Sequence, residues 1–125
     1  MTIETDIAGH LGDYAGLAAL VGERIYPVRL PQTPTLPAVT YQRISGTTRY
    51  SHDGDSGLYS ARWQFSCWAE HYMEAVAVGA QVKGAVHTWR NAHGQPAFVE
   101  NEVDDYEPAT GVYHVMVDAT IWWRG

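Results

Sequence analysis

The chain has 125 residues, 46% of them apolar and 18% charged, which is enough to bury a core without metal or disulfide staples and excludes a disordered polymer. A formal charge of −6, with one lysine and scattered arginines, excludes the basic patch that non-specific phosphate binding requires. The single cysteine, Cys67, cannot close an internal disulfide, and no apolar run is long enough to span a bilayer.

The N-terminus, Met1-Thr2-Ile3-Glu4-Thr5-Asp6, is acidic where a signal peptide is basic, so the expectation is a soluble chain made in the cytoplasm. Ile3, Ile7 and Leu11 stand four apart and predict a short amphipathic helix over about 2–11, interrupted at Gly12. Asp13 is placed to cap a second helix carrying Leu17, Leu20 and Val21, with Gly22 as its stop. Arg24 to Pro27 reads as extended, and prolines at 27, 31, 34 and 37 keep the next segment out of helix. β-Prone residues then run from Ala38 to about Arg49, and the polar run Ser51 to Gly57 reads as a loop.

The clearest strand signal is the alternation of Tyr59, Ala61, Trp63, Phe65, Cys67 and Ala69 with polar neighbours, broken only by Trp68 on the polar side. A helix is expected over about 71–91, with Tyr72, Ala75, Gly79, Val82, Val86 and Trp89 on its apolar stripe and Gly94 at its end. Gly79 and Gly84 each weaken an isolated helix by about 1 kcal/mol, which points to close approach against the sheet. Two strands follow, one from Ala97 to about Asp105 and one in which Tyr113, Val115, Val117, Ala119, Ile121 and Trp123 share a face. The order predicts one α+β domain over 1–125: a mainly antiparallel sheet, one long helix across a face, and short N-terminal helices.

A search for chemistry finds no catalytic, cofactor or metal motif. His52-Asp53-Gly54-Asp55 lacks the further oxygen ligands and closing glutamate of a Ca²⁺ loop. Glu70, His71 and Glu74 have no metal-ligand spacing, and acids there suit the start of a helix. Cys67 falls on a covered face as an inert thiol. A small metal-dependent enzyme or binding module built on these clusters is the competing reading, and a metal titration separates it. Trp68 and Trp122, by contrast, fall on outer, more polar faces, where tryptophan commonly anchors protein contacts. The acidic run Glu100, Glu102, Asp104, Asp105, Glu107 reads as a charged edge strand.

Residues 17–46, from Leu17-Ala18-Ala19-Leu20-Val21-Gly22-Glu23-Arg24-Ile25-Tyr26-Pro27 through Pro31-Gln32 to Pro37-Ala38-Val39-Thr40-Tyr41-Gln42-Arg43-Ile44-Ser45-Gly46, resemble the N-terminal third of phage tail-completion proteins. The later order of strand, helix and closing strands is similar as well. The resemblance implies a virion tail subunit, also carried by prophages and gene transfer agents. It implies a six-fold ring that caps the tail tube and meets the head connector, with no cofactor and no enzymatic role. A neck or head-completion ring is the nearest alternative. The resemblance gives Trp68, Trp122, Pro31, Gln32 and Pro34 a use as subunit contacts. If DNA passes through the ring only as cargo, an acidic lumen or rim formed by Asp53 and Asp55, or by Glu100, Glu102, Asp104 and Asp105, repels phosphate and keeps the channel from sticking.

Overall fold

The computed structural model describes residues 2–46, 48–50 and 57–125, with backbone alone at 48–50. Helix α1 (Ile3–Asp13) opens with a capping box in which the Thr2 and Thr5 side chains each bond the other's backbone N–H at 3.2 Å. Its expected stripe of Ile3, Ile7 and Leu11 is buried. The helix continues through Gly12. It breaks instead at Tyr14, whose extended backbone is the N-cap of α2 (Ala15–Val21) without a side-chain capping bond, so Asp13 does not cap. Leu17 and Val21 bury fully, and Gly22, at φ +58, turns the chain into β1 (Ile25–Pro27).

Among the described residues six strands form one sheet: β1, β2 (Ala38–Arg43), β3 (Thr48–Tyr50), β4 (Leu58–Ala69), β5 (Ala97–Glu107) and β6 (Val112–Arg124). The order is β1-β2-β4-β6-β5, with β3 also paired to β4. Only β1 and β2 run parallel; the remaining pairs are antiparallel. The register sets the faces. Trp63, Phe65 and Cys67 of β4 lie beside Val39 and Tyr41 on one flank and Val115, Val117 and Ala119 on the other, all on the core side. Trp123 and Tyr59 extend that side but are half-buried, their rings stacked at 5.8 Å.

The core side is covered by α3 (Tyr72–His87), which packs across β4, β5 and β6 with α1 and α2 beside it. The single helix expected over 71–91 is divided. Thr88 interrupts it, and α4 (Trp89–His93) follows. The cause is local competition for the carbonyl of Ala85, which accepts from the Thr88 hydroxyl at 2.9 Å and from His10 Nε2 at 2.7 Å. Trp89 still buries, donating its indole N–H to the carbonyl of Trp122 at 2.9 Å. Gly79 meets the sheet as expected, against Val115. Gly84 does not: a side chain there would fall on the ring of Tyr14, so its approach is between helices. Tyr72, placed on the apolar stripe by spacing, is 41% exposed, because the first turn of α3 overhangs the core.

Candidate assembly surface

The other face of the sheet carries no helix of the described chain. Its residues are Thr40 and Gln42 of β2, Ser60, Arg62, Gln64, Ser66 and Trp68 of β4, and His114, Met116, Asp118, Thr120 and Trp122 of β6. Their side chains bond sideways across the strands. Gln42 donates to Gln64 at 3.4 Å, Gln64 donates to Asp118 at 3.2 Å, and Arg62 pairs with Asp118 at 3.6 Å.

Trp68 occupies one end of this face. Its indole N–H donates to the Thr40 hydroxyl at 3.0 Å and its ring stacks on His114 at 4.2 Å. The free side of the ring walls a groove of about 390 Å³ with Val28, Leu30, Pro34, Leu36 and Val112, while Arg29, Glu107 and Thr110 supply its polar parts. Trp68 and Pro34, distant in sequence, therefore share one apolar groove. Pro31 and Gln32 are exposed beside it and line a hollow of about 370 Å³ with Arg29 and Leu30. Trp122 stands apart. It pairs with Ser60 while Trp68 pairs with His114, which puts the two tryptophans about 27 Å apart along the strands.

Glu100, Glu102, Asp104 and Asp105 are exposed on β5, an edge of the sheet. A register shift between Val99 and Asn101 leaves Glu100 unpaired, and the acids beyond it divide between the two faces. Glu102 and Asp104 lie on the helix side, where Lys83 pairs with Glu102 at 2.6 Å and the Tyr72 hydroxyl donates to Asp104 at 2.5 Å. Asp105 lies on the other side against His114 at 3.1 Å, and that hydrogen bond, helped by the Tyr106 N–H, holds its carboxyl below the usual 3.8. Tyr72 is shifted upward because its proton is held by Asp104. Asp53 and Asp55, with His52, lie outside the described residues.

Among the described residues no three of His, Cys, Asp and Glu come together as a metal site, and Glu70 and His71 are exposed at the start of α3. Burial pushes the Cys67 thiol far up, with Glu102 adding and Lys83 opposing, which removes the thiolate that nucleophilic chemistry needs. Sequence spacing did not reveal the joining of Tyr72, Asp104, Tyr106 and Tyr113 around one hollow. The two tyrosines flanking the turn at 107–111 were the available signal.

A family model described as Tail completion protein gp17 matches residues 5–124. The chain belongs to this tail completion family. It is thus a structural component of a phage-type tail, in a family of structural proteins. Among solved structures, a chain of the virion of a native gene transfer agent (GTA) particle shares its fold with a TM-score of 0.72 and 15% identity, covering 98% of this chain and 95% of that one. No curated protein matches. No helix of the described chain is long and apolar enough to cross a membrane.

Proposed function

We propose that the chain is the repeating subunit of a ring, six copies around, that terminates the tail tube and joins it to the head connector. The whole of 1–125 acts as one unit. Its partners are further copies of itself, the tail tube protein and the head-connector protein, with DNA only as passing cargo. The observation that supports this best is the Trp68 groove: apolar side chains gathered on a sheet face that no helix of the described chain covers. Trp68, Pro34, Pro31 and Gln32 form the contact at that end, and Trp122 forms a separate one at the other. The acids of β5 rim the channel, where like charge keeps DNA from adhering.

Electron microscopy of the purified protein, with sedimentation at rising concentration, tests the reading. Closed six-fold rings are expected, and Trp68→Ala should weaken them while leaving the far-UV spectrum unchanged. A protein that stays monomeric in concentrated solution and beside purified tail tubes refutes it. A ring found only in complex with head-connector protein and never on tube ends would move it to the neck.

A further inference from the structure

We infer that neighbouring copies lock together through Arg29 of one and a tyrosine–aspartate socket on the β5 edge of the next, an inference that rests on the ring reading above. The socket is a hollow of about 310 Å³ around Tyr72, Asp104, Tyr106 and Tyr113, with Asp105 at its rim. The Tyr106 and Tyr113 rings lie 4.7 Å apart and Tyr72 lies 6.0 Å from Tyr113. Tyr72 and Tyr106 are 41% and 46% exposed. The Tyr72 hydroxyl holds one oxygen of Asp104 at 2.5 Å and leaves Oδ1 without a hydrogen bond among the described residues. Electron-rich ring faces beside an oriented carboxylate select a cation. A planar guanidinium can stack on the rings and pair with the carboxylate at once.

The chain's own cations do not fill this hollow. Lys83 is committed to Glu102, Arg43 to Glu4, Arg62 to Asp118 and Arg24 to two backbone carbonyls. Among the described arginine and lysine side chains, Arg29 and Arg90 alone make neither a hydrogen bond nor an ion pair. Arg90 sits in the last turn of α4, where its charge complements the helix end. Arg29 follows β1 and adjoins Val28, which is 64% exposed and held at φ +67. A β-branched residue in that region is strained, and such strain marks segments kept for a purpose. Arg29 lines the groove beside Trp68 on the outer face, whereas the socket opens on the helix side of β5, so plug and socket occupy different surfaces of the chain. Head-to-tail contacts of this kind can close a ring, whereas socket against socket would set acids against acids.

Sedimentation of four samples tests this: wild type, Arg29→Glu, Asp104→Arg, and an equimolar mixture of the two variants, with Arg90→Glu as control. Each variant alone should associate about tenfold more weakly or worse. The mixture should recover, because every contact between unlike chains then joins opposite charges. Circular dichroism checks folding, and Asp104→Asn, which keeps the side chain's shape, should weaken association in the same direction. Variants that associate like wild type, or a mixture as weak as its parts, overturn the inference and leave the ring reading standing. A loss confined to Arg90→Glu does the same. A monomeric wild type overturns both.

Discussion

Replacing Gly79 by alanine should destabilise the fold, while the same replacement at Gly9 should stabilise it. Both glycines are inside helices, where alanine is favoured by about 1 kcal/mol. At Gly9 an added Cβ meets nothing within 4 Å, so that gain is realised in full. At Gly79 the added Cβ lands 3.0 Å from Cγ1 of Val115 and 3.6 Å from its Cβ. Carbon atoms pack best about 3.5–4.0 Å apart, leaving a shortfall of about half an ångström. Val115 cannot yield easily, since it is fully buried and its side chain is stiff, and the added Cβ also meets Cγ2 of buried Val117 at 4.0 Å. Forcing a methyl into a packed core costs about 1–3 kcal/mol, so the net loss at Gly79 is about 1 kcal/mol. In a chain of this size that lowers Tm by about 4 °C. Thermal and urea unfolding, followed by tryptophan fluorescence at one low protein concentration, reads both changes without a contribution from association. A Gly79→Ala protein as stable as wild type would refute the claim that α3 lies against β6 at contact distance.

Cys67 should resist a thiol reagent at mildly alkaline pH in the native protein and react at the rate of unfolding, because burial suppresses its ionisation. Partial desolvation, with one ring face stacked on Trp89 at 3.7 Å, and the neighbouring His10 hold the imidazole of the otherwise exposed His93 below its ordinary 6.5, with Asp6 opposing. The unfolded chain therefore takes up this proton first, so His93's contribution is whole above 6.5 and is lost as pH falls through the folded value. His93→Gln should flatten the stability profile as pH falls below 6.5, and an unchanged slope counts against the assignment. Asp105 is held below 3.8, so its contribution is present above that pH and disappears as pH falls through the folded value. His114→Ala should return the Asp105 carboxyl toward 3.8 in an NMR titration.

β4 and β6 were legible because one face of each is dry and the other wet, which imposes period two on the residues. The stripe of α1 was legible for the corresponding reason at helical spacing. The break at Thr88 was not, because Trp89 continues the stripe in phase and the interruption depends on His10, far away in sequence. Nor could spacing show that β1 runs parallel to β2, since pairing partners are chosen by the whole sheet. Trp68 was found on the outer face because it violates its own strand's alternation. That Pro34 would meet it depends on the course of the proline-bearing segment over the sheet, which local propensity does not encode. Tyr72 was misread because a tyrosine satisfies an apolar pattern while keeping its hydroxyl for water or, here, for Asp104.

The sideways ladder of Gln42, Gln64, Asp118 and Arg62 has a thermodynamic consequence for a protein that exists first as a solute and later as a wall. Polar groups already paired with one another have few bonds to water to surrender when another surface closes over them. The amide and carboxylate rungs thus lose little when they are dried, while Arg62, whose side chain is 43% exposed, keeps the free face wettable.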